Sequence, residues 1–87
     1  MRRKKDFMAQ QVAGEWVVVA VGRESLTFQK LLRLNDSALL LWNALEKERS
    51  EAELVALLRE TYEVSEETAA ADVRALTEQL RTLGCLE

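Results

Sequence analysis

The chain has 87 residues, with 48 % hydrophobic and 31 % charged, and a net charge of −3. That is enough for one small domain with a modest core and a well-solvated surface, and it is not the composition of a disordered chain. The absence of histidine removes the commonest general base and metal ligand, and a single cysteine, Cys85, excludes an internal disulfide or a thiolate zinc cluster.

Arg2, Arg3, Lys4 and Lys5 make residues 1–6 a basic segment, read as a flexible tail ahead of a single domain over 7–87. Asp6, Gln10 and Gln11 interrupt any apolar stretch behind it, so it does not continue as a signal peptide. No apolar run reaches membrane-spanning length. Together with the lone thiol, this gives a cytoplasmic reading and no membrane partner. Without those four basic residues the body is still more acidic than the net charge suggests, which disfavours binding to a phosphate backbone.

In chain order, Phe7 to Val12 reads as a weak strand, Ala13-Gly14 as a turn, and Glu15 to Val21 as a stronger, valine-rich strand closed by Gly22. Arg23 to Thr27 is a polar connection. Phe28 to Leu34 is a third extended segment, with Phe28, Lys30, Leu32 and Leu34 on one face and Gln29, Leu31 and Arg33 on the other.

Helices follow. Asn35 or Asp36 caps a helix running to about Glu46, in which Ala38, Leu41, Trp42 and Leu45 recur at core-facing spacing. Ser50 and Glu53 form a capping box for a second helix carrying Leu54, Leu57 and Leu58, ended by Tyr62-Glu63-Val64. Ser65 caps a third helix with the stripe Ala69, Val73, Leu76, Leu80 and Leu83; Gly84 is placed to stop it, and Cys85 and Leu86 turn back onto the core. The fold class is α+β: a three-stranded antiparallel sheet followed by three helices (β-β-β-α-α-α), arranged like a winged helix-turn-helix.

Three functions compete for such a domain. In a DNA-binding regulator, residues 66–83 would enter the major groove by their N-terminal end. Here that end carries Glu66 and Glu67, and with Asp72 and Glu78 the acids outnumber Arg74 and Arg81. Catalysis lacks a phosphate loop, a metal-spaced cluster and a nucleophile–base pair, so neither an enzyme nor a cofactor is expected. The third option is peptide capture by strand addition, on an exposed third strand beside the last helix, whose Arg74, Thr77 and Arg81 flank the buried stripe. Leu31 and Leu32 fit that cleft, and they equally fit a plain core.

An ordered set of residues resembles PqqD-like proteins, the recognition elements for precursor peptides of ribosomally made, modified peptides. The set comprises Val12-Ala13-Gly14-Glu15, Leu34-Asn35, Trp42 with Leu45, Glu53-Leu54, Tyr62-Glu63-Val64, Asp72-Val73, Leu80, Gly84 and Leu86. The likeness covers about residues 7–87. It implies a non-catalytic domain that holds a precursor's leader as an added strand between the third strand and the third helix. Such a domain presents the precursor to a modifying enzyme, often a radical S-adenosylmethionine enzyme.

The implied groove uses Leu31, Leu32 and Arg33 on the strand and Val73, Arg74, Thr77, Leu80 and Arg81 on the helix. Many relatives carry an aromatic where Leu31 or Leu32 stands, so the pocket here is differently shaped. Lys30, Arg33, Arg74 and Arg81 bordering this cleft predict a leader with acidic residues around an apolar anchor. An open strand edge is compatible with a monomer or a weak dimer.

Overall fold

The computed structural model describes residues 1–21 and 32–87. The expected turn at Gly22, the connection 23–27 and the strand positions Phe28 to Leu31, including the candidate residues Lys30 and Leu31, lie outside the described residues. The elements run β1 (Phe7–Val12), β2 (Glu15–Ala20), β3 (Leu32–Leu34), α1 (Asp36–Ala44), α2 (Glu51–Thr61) and α3 (Glu66–Thr82). The sheet is antiparallel in the order β1-β2-β3. This is the β-β-β-α-α-α arrangement that the capping and patterning signals predict.

β1 and β2 pair from Phe7↔Ala20 to Val12↔Glu15, and β2 pairs β3 from Trp16↔Leu34 to Val18↔Leu32. Because side chains alternate, this register sets Phe7, Ala9, Trp16, Val18, Leu32 and Leu34 on one face, which packs on the helices. Met8 and Val12 project from the other face and are exposed. The hairpin turn has positive φ at both central residues, 53° at Ala13 and 82° at Gly14. A two-residue turn of that kind matches the twist of the strands. Glycine adopts it freely, whereas Ala13 does so at a steric cost of about 1 kcal/mol.

Each helix starts where a side chain can cap it. The Asn35 side chain accepts from the Ala38 N–H at 2.9 Å to open α1. Ser50 Oγ accepts from the Glu53 N–H at 3.1 Å, and the Glu53 carboxylate accepts from the Ser50 N–H at 2.9 Å. The Ser50 N–H first, then the Ser50 hydroxyl and the charge of Arg49, hold the Glu53 carboxyl below its ordinary pKa. Ser65 Oγ accepts from the Thr68 N–H at 3.1 Å to open α3.

α3 ends in a two-bond stop, the Cys85 N–H donating to the Leu80 carbonyl (2.8 Å) and the Gly84 N–H to that of Arg81 (3.1 Å), with Gly84 at φ 76°. The core joins the inner sheet face to Leu41, Trp42 and Leu45 from α1 and its end, Leu54 and Leu58 from α2, and Ala69, Val73, Leu76 and Leu80 from α3. Cys85 closes it, fully buried. α1 is shorter than expected, ending at Ala44 with Leu45 as its C-cap.

Residues 1–4 depart from the free tail that their charge suggests. The Lys4 N–H donates to the Cys85 carbonyl (2.8 Å), the Glu87 N–H to the Arg2 carbonyl (2.8 Å), the Arg3 N–H to the Leu45 carbonyl (2.9 Å) and the Arg49 N–H to the Met1 carbonyl (2.9 Å). Arg3 also donates from Nη1 to the Trp42 carbonyl at 2.7 Å and lies 5.1 Å from the centre of the Trp42 ring. Arg2 and Glu87 form an ion pair that raises the guanidinium's pKa and lowers the carboxyl's. The segment is thus laced between the C-terminus and the turn from α1 to α2. Its backbone groups find partners there that a charge pattern does not reveal.

Candidate functional site

β3 has β2 on one side and, among the described residues, no strand on the other, so it forms an edge of the sheet. An edge strand carries a row of backbone donors and acceptors that its own sheet leaves unused. Next to it, a cleft of about 620 Å³ opens between the β1–β2 turn, the end of β3, the first turn of α1 and one face of α3. The α3 wall consists of Asp72, Ala75, Leu76 and Gln79; the strand wall includes Trp16, Arg33 and Leu34. Arg33 forms an ion pair with Glu15 at 2.5 Å, both side chains being exposed. Such a pair contributes little to stability, about 0–1 kcal/mol, but it leaves neither charge alone in the cleft.

The sequence-predicted residues separate into three groups. Leu32 and Arg33 stand at the edge: Leu32 is half-buried against the core and Arg33 lines the cleft. Val73 and Leu80 have no exposed surface, and Thr77 is only 4 % exposed, its hydroxyl donating to the Arg74 carbonyl at 3.2 Å. These three are packing residues with almost no surface. Arg74 and Arg81 are exposed, but they do not line the cleft. Arg74 turns toward the start of α2, where its Nε lies 3.8 Å from Glu51.

The reason is angular. Each helical residue advances about 100°, so Arg74 and Arg81 fall about 180–200° from Asp72, with the buried stripe between them. The basic border inferred for the cleft therefore reduces, among the described residues, to Arg33 alone.

What sequence reasoning missed is the other border of the same stripe: Asp72, Ala75 and Gln79. The available signal was Ala75, a small residue among polar neighbours beside the apolar stripe. A second recess, about 330 Å³, continues past the first turn of α1; it shares Asp36 and Asp72 with the cleft and is lined further on by Leu58, Tyr62 and Val64.

A three-stranded sheet on three helices, with no strand beyond β3 among the described residues and a helix-walled cleft beside it, defines a winged-helix-like domain. The chain belongs to the PqqD family: the family model for coenzyme PQQ synthesis protein D matches residues 15–86.

Two solved structures share the fold. One, TbiB1 in complex with the TbiA(beta) leader peptide, superposes with a TM-score of 0.77 at 21 % identity, over 100 % of this chain and 95 % of that one. The other, a lasso peptide synthetase B1 complexed with the leader peptide, gives 0.72 at 27 % identity over 97 % and 93 %. Among curated proteins no match is found. No helix of the described residues is long and apolar enough to cross a membrane.

Proposed function

We propose that this chain binds the leader segment of a ribosomally made precursor peptide and presents the precursor to a modifying enzyme, itself performing no chemistry. The leader lies along β3 as an added strand, its backbone pairing with the open edge and its side chains entering the cleft against Asp72, Ala75, Leu76 and Gln79 of α3. The observation that carries this reading is that, among the described residues, no strand pairs with the outer side of β3, and a cleft opens beside it. Backbone pairing supplies affinity without regard to sequence, and the cleft supplies selectivity. Family membership and the two leader-peptide complexes of the same fold support it.

The partner enzyme is of the kind that modifies such precursors, radical S-adenosylmethionine enzymes among them, and the site of action is the cytoplasm. The DNA-binding alternative gains nothing from the structure. The exposed N-terminal end of α3 holds Glu66 and Glu67, which repel phosphate.

The test is a titration of the labelled chain with synthetic leader peptides from precursor genes adjacent to its own, followed by amide resonances. Saturable shifts are expected at Leu32 to Leu34 and at Asp72, Ala75 and Gln79. Shifts confined to Arg59, Arg74 and Arg81, or none with any such leader, would count against the reading.

A further inference from the structure

Resting on that reading, we infer that the cleft selects leaders carrying a lysine or arginine next to the segment that pairs with β3, and that Asp36 and Asp72 are the residues that recognise it. Both carboxylates line the cleft and also the recess beyond it, so they stand at the junction of the two. Neither has an ion-pair partner among the described residues, whereas the other described charges of the cleft, Arg33 and Glu15, neutralise one another at 2.5 Å. Arg74, the nearest cation along α3 from Asp72, is turned away toward Glu51. The junction therefore holds two carboxylates without an ion-pair partner among the described residues in a concave surface, where field lines concentrate.

The two acids are not equivalent. Asp36 sits in the first turn of α1, where the helix end already favours a carboxylate, so part of its charge is answered within the fold. Asp72 lies in the second turn of α3, past the reach of that helix's N-terminal end, and no such role accounts for it.

The recess then decides what kind of cation fits. Half-exposed Val64 gives an apolar floor, with buried Leu58 behind it, and Tyr62 an exposed aromatic wall. A long basic side chain can lay its methylenes on such a floor while its charged head stays at the carboxylates in water. The tyrosine ring adds attraction for the same head group. A small cation or a short polar side chain would use the carboxylates and leave the floor empty. This assignment is the reverse of the acidic leader that Lys30, Arg33, Arg74 and Arg81 predict from the sequence.

The experiment selects displayed random linear peptides on the full chain at low ionic strength, then measures binding of the enriched peptides after synthesis. Enrichment of Lys and Arg over Asp and Glu is expected. Exchanging the basic residue for Glu should weaken binding about tenfold, and Asp36→Asn/Asp72→Asn should bring the two peptides within about twofold of one another. Asp72→Asn alone, an exposed mid-helix change that spares the α1 cap, should remove most of the difference, with circular dichroism confirming the fold.

Enriched peptides without a basic residue, or rich in acids, overturn this inference while leaving strand addition intact if they still shift the amides of Leu32 to Leu34. Enriched peptides that leave those amides unmoved, or no enrichment at all, overturn both.

Discussion

Two regions of this small domain treat their polar groups in contrasting ways. Around the termini, residues 1–4 are tied by backbone hydrogen bonds to Leu45, Arg49, Cys85 and Glu87, and the side chains of Arg2 and Arg3 have partners in the chain itself. Around the cleft, the edge of β3 has no further strand among the described residues, and Asp36 and Asp72 face open space. The first region is complete and the second is not. An exposed strand edge and exposed carboxylates that the described chain leaves to solvent are where a partner can pair.

The sharpest contrast falls between consecutive residues of α3. Leu80 is fully buried and supplies the carbonyl that stops the helix, while Gln79 is exposed and lines the cleft. Leu80→Ala should destabilise the fold by about 3 kcal/mol through lost burial and a cavity. Gln79→Ala should change stability by less than about 0.5 kcal/mol and alter peptide affinity instead. Denaturant titration of both variants, with peptide binding on the folded fraction, checks the pair. If Gln79→Ala proves as destabilising as Leu80→Ala, the cleft face of α3 belongs to the core.

The lacing itself is next in size. Arg3→Ala removes a hydrogen bond to the Trp42 carbonyl and the guanidinium over the Trp42 ring. A loss of about 1–2 kcal/mol is expected, because a partly buried, charge-assisted contact and its stacking disappear together. Peptide binding by the folded protein should not change. A melting temperature that stays at the parental value would show that the basic segment is a solvated tail after all.

Acid should loosen the laced region and the start of α2 ahead of the cleft. Glu53 and Glu87 have carboxyl pKa values below the ordinary 4.5, held down by the Ser50 backbone and hydroxyl and by Arg2 respectively. Their folded values are depressed, so their contribution is complete above the unfolded value and is lost as pH falls through the lower, folded ones. Thermal melts from neutral pH downward should therefore begin to drop below about 4.5. Both groups are on the surface, so the slope should be shallow. Glu53→Gln together with Glu87→Gln should flatten it, since glutamine can keep the capping geometry without titrating.

How much of this was legible beforehand follows from the range of each signal. The caps at Asn35, Ser50 and Ser65 and the stop at Gly84 are local, each settled by a few neighbouring residues, and the structure has them at those residues. The buried stripe of α3 was equally readable from its period. Which border of that stripe meets the sheet edge was not. A stripe has two borders, and choosing between them requires the path of the chain through α1 and α2, which no window of sequence contains. The lacing of residues 1–4 was hidden for a related reason: it is made largely by backbone groups that pair with residues more than forty positions away.

Arg74 is where that ambiguity can be settled at the smallest energetic cost. The side chain is exposed and reaches Glu51 only at 3.8 Å, so Arg74→Glu should cost no more than about 0.5 kcal/mol, chiefly from two like charges brought together. From the helical stripe alone the same substitution would be expected to change the affinity, because Arg74 borders the buried face. In the folded molecule it borders the side that meets α2, with Val73 and Leu80 in between. Affinity for a leader peptide should therefore stay within about twofold of the parent, while Asp72→Asn, two residues earlier on the cleft side, should change which peptides bind. Measured by fluorescence anisotropy on the same leader, a large loss for Arg74→Glu with none for Asp72→Asn would move the guest to the other flank of the helix and take the cleft assignment with it.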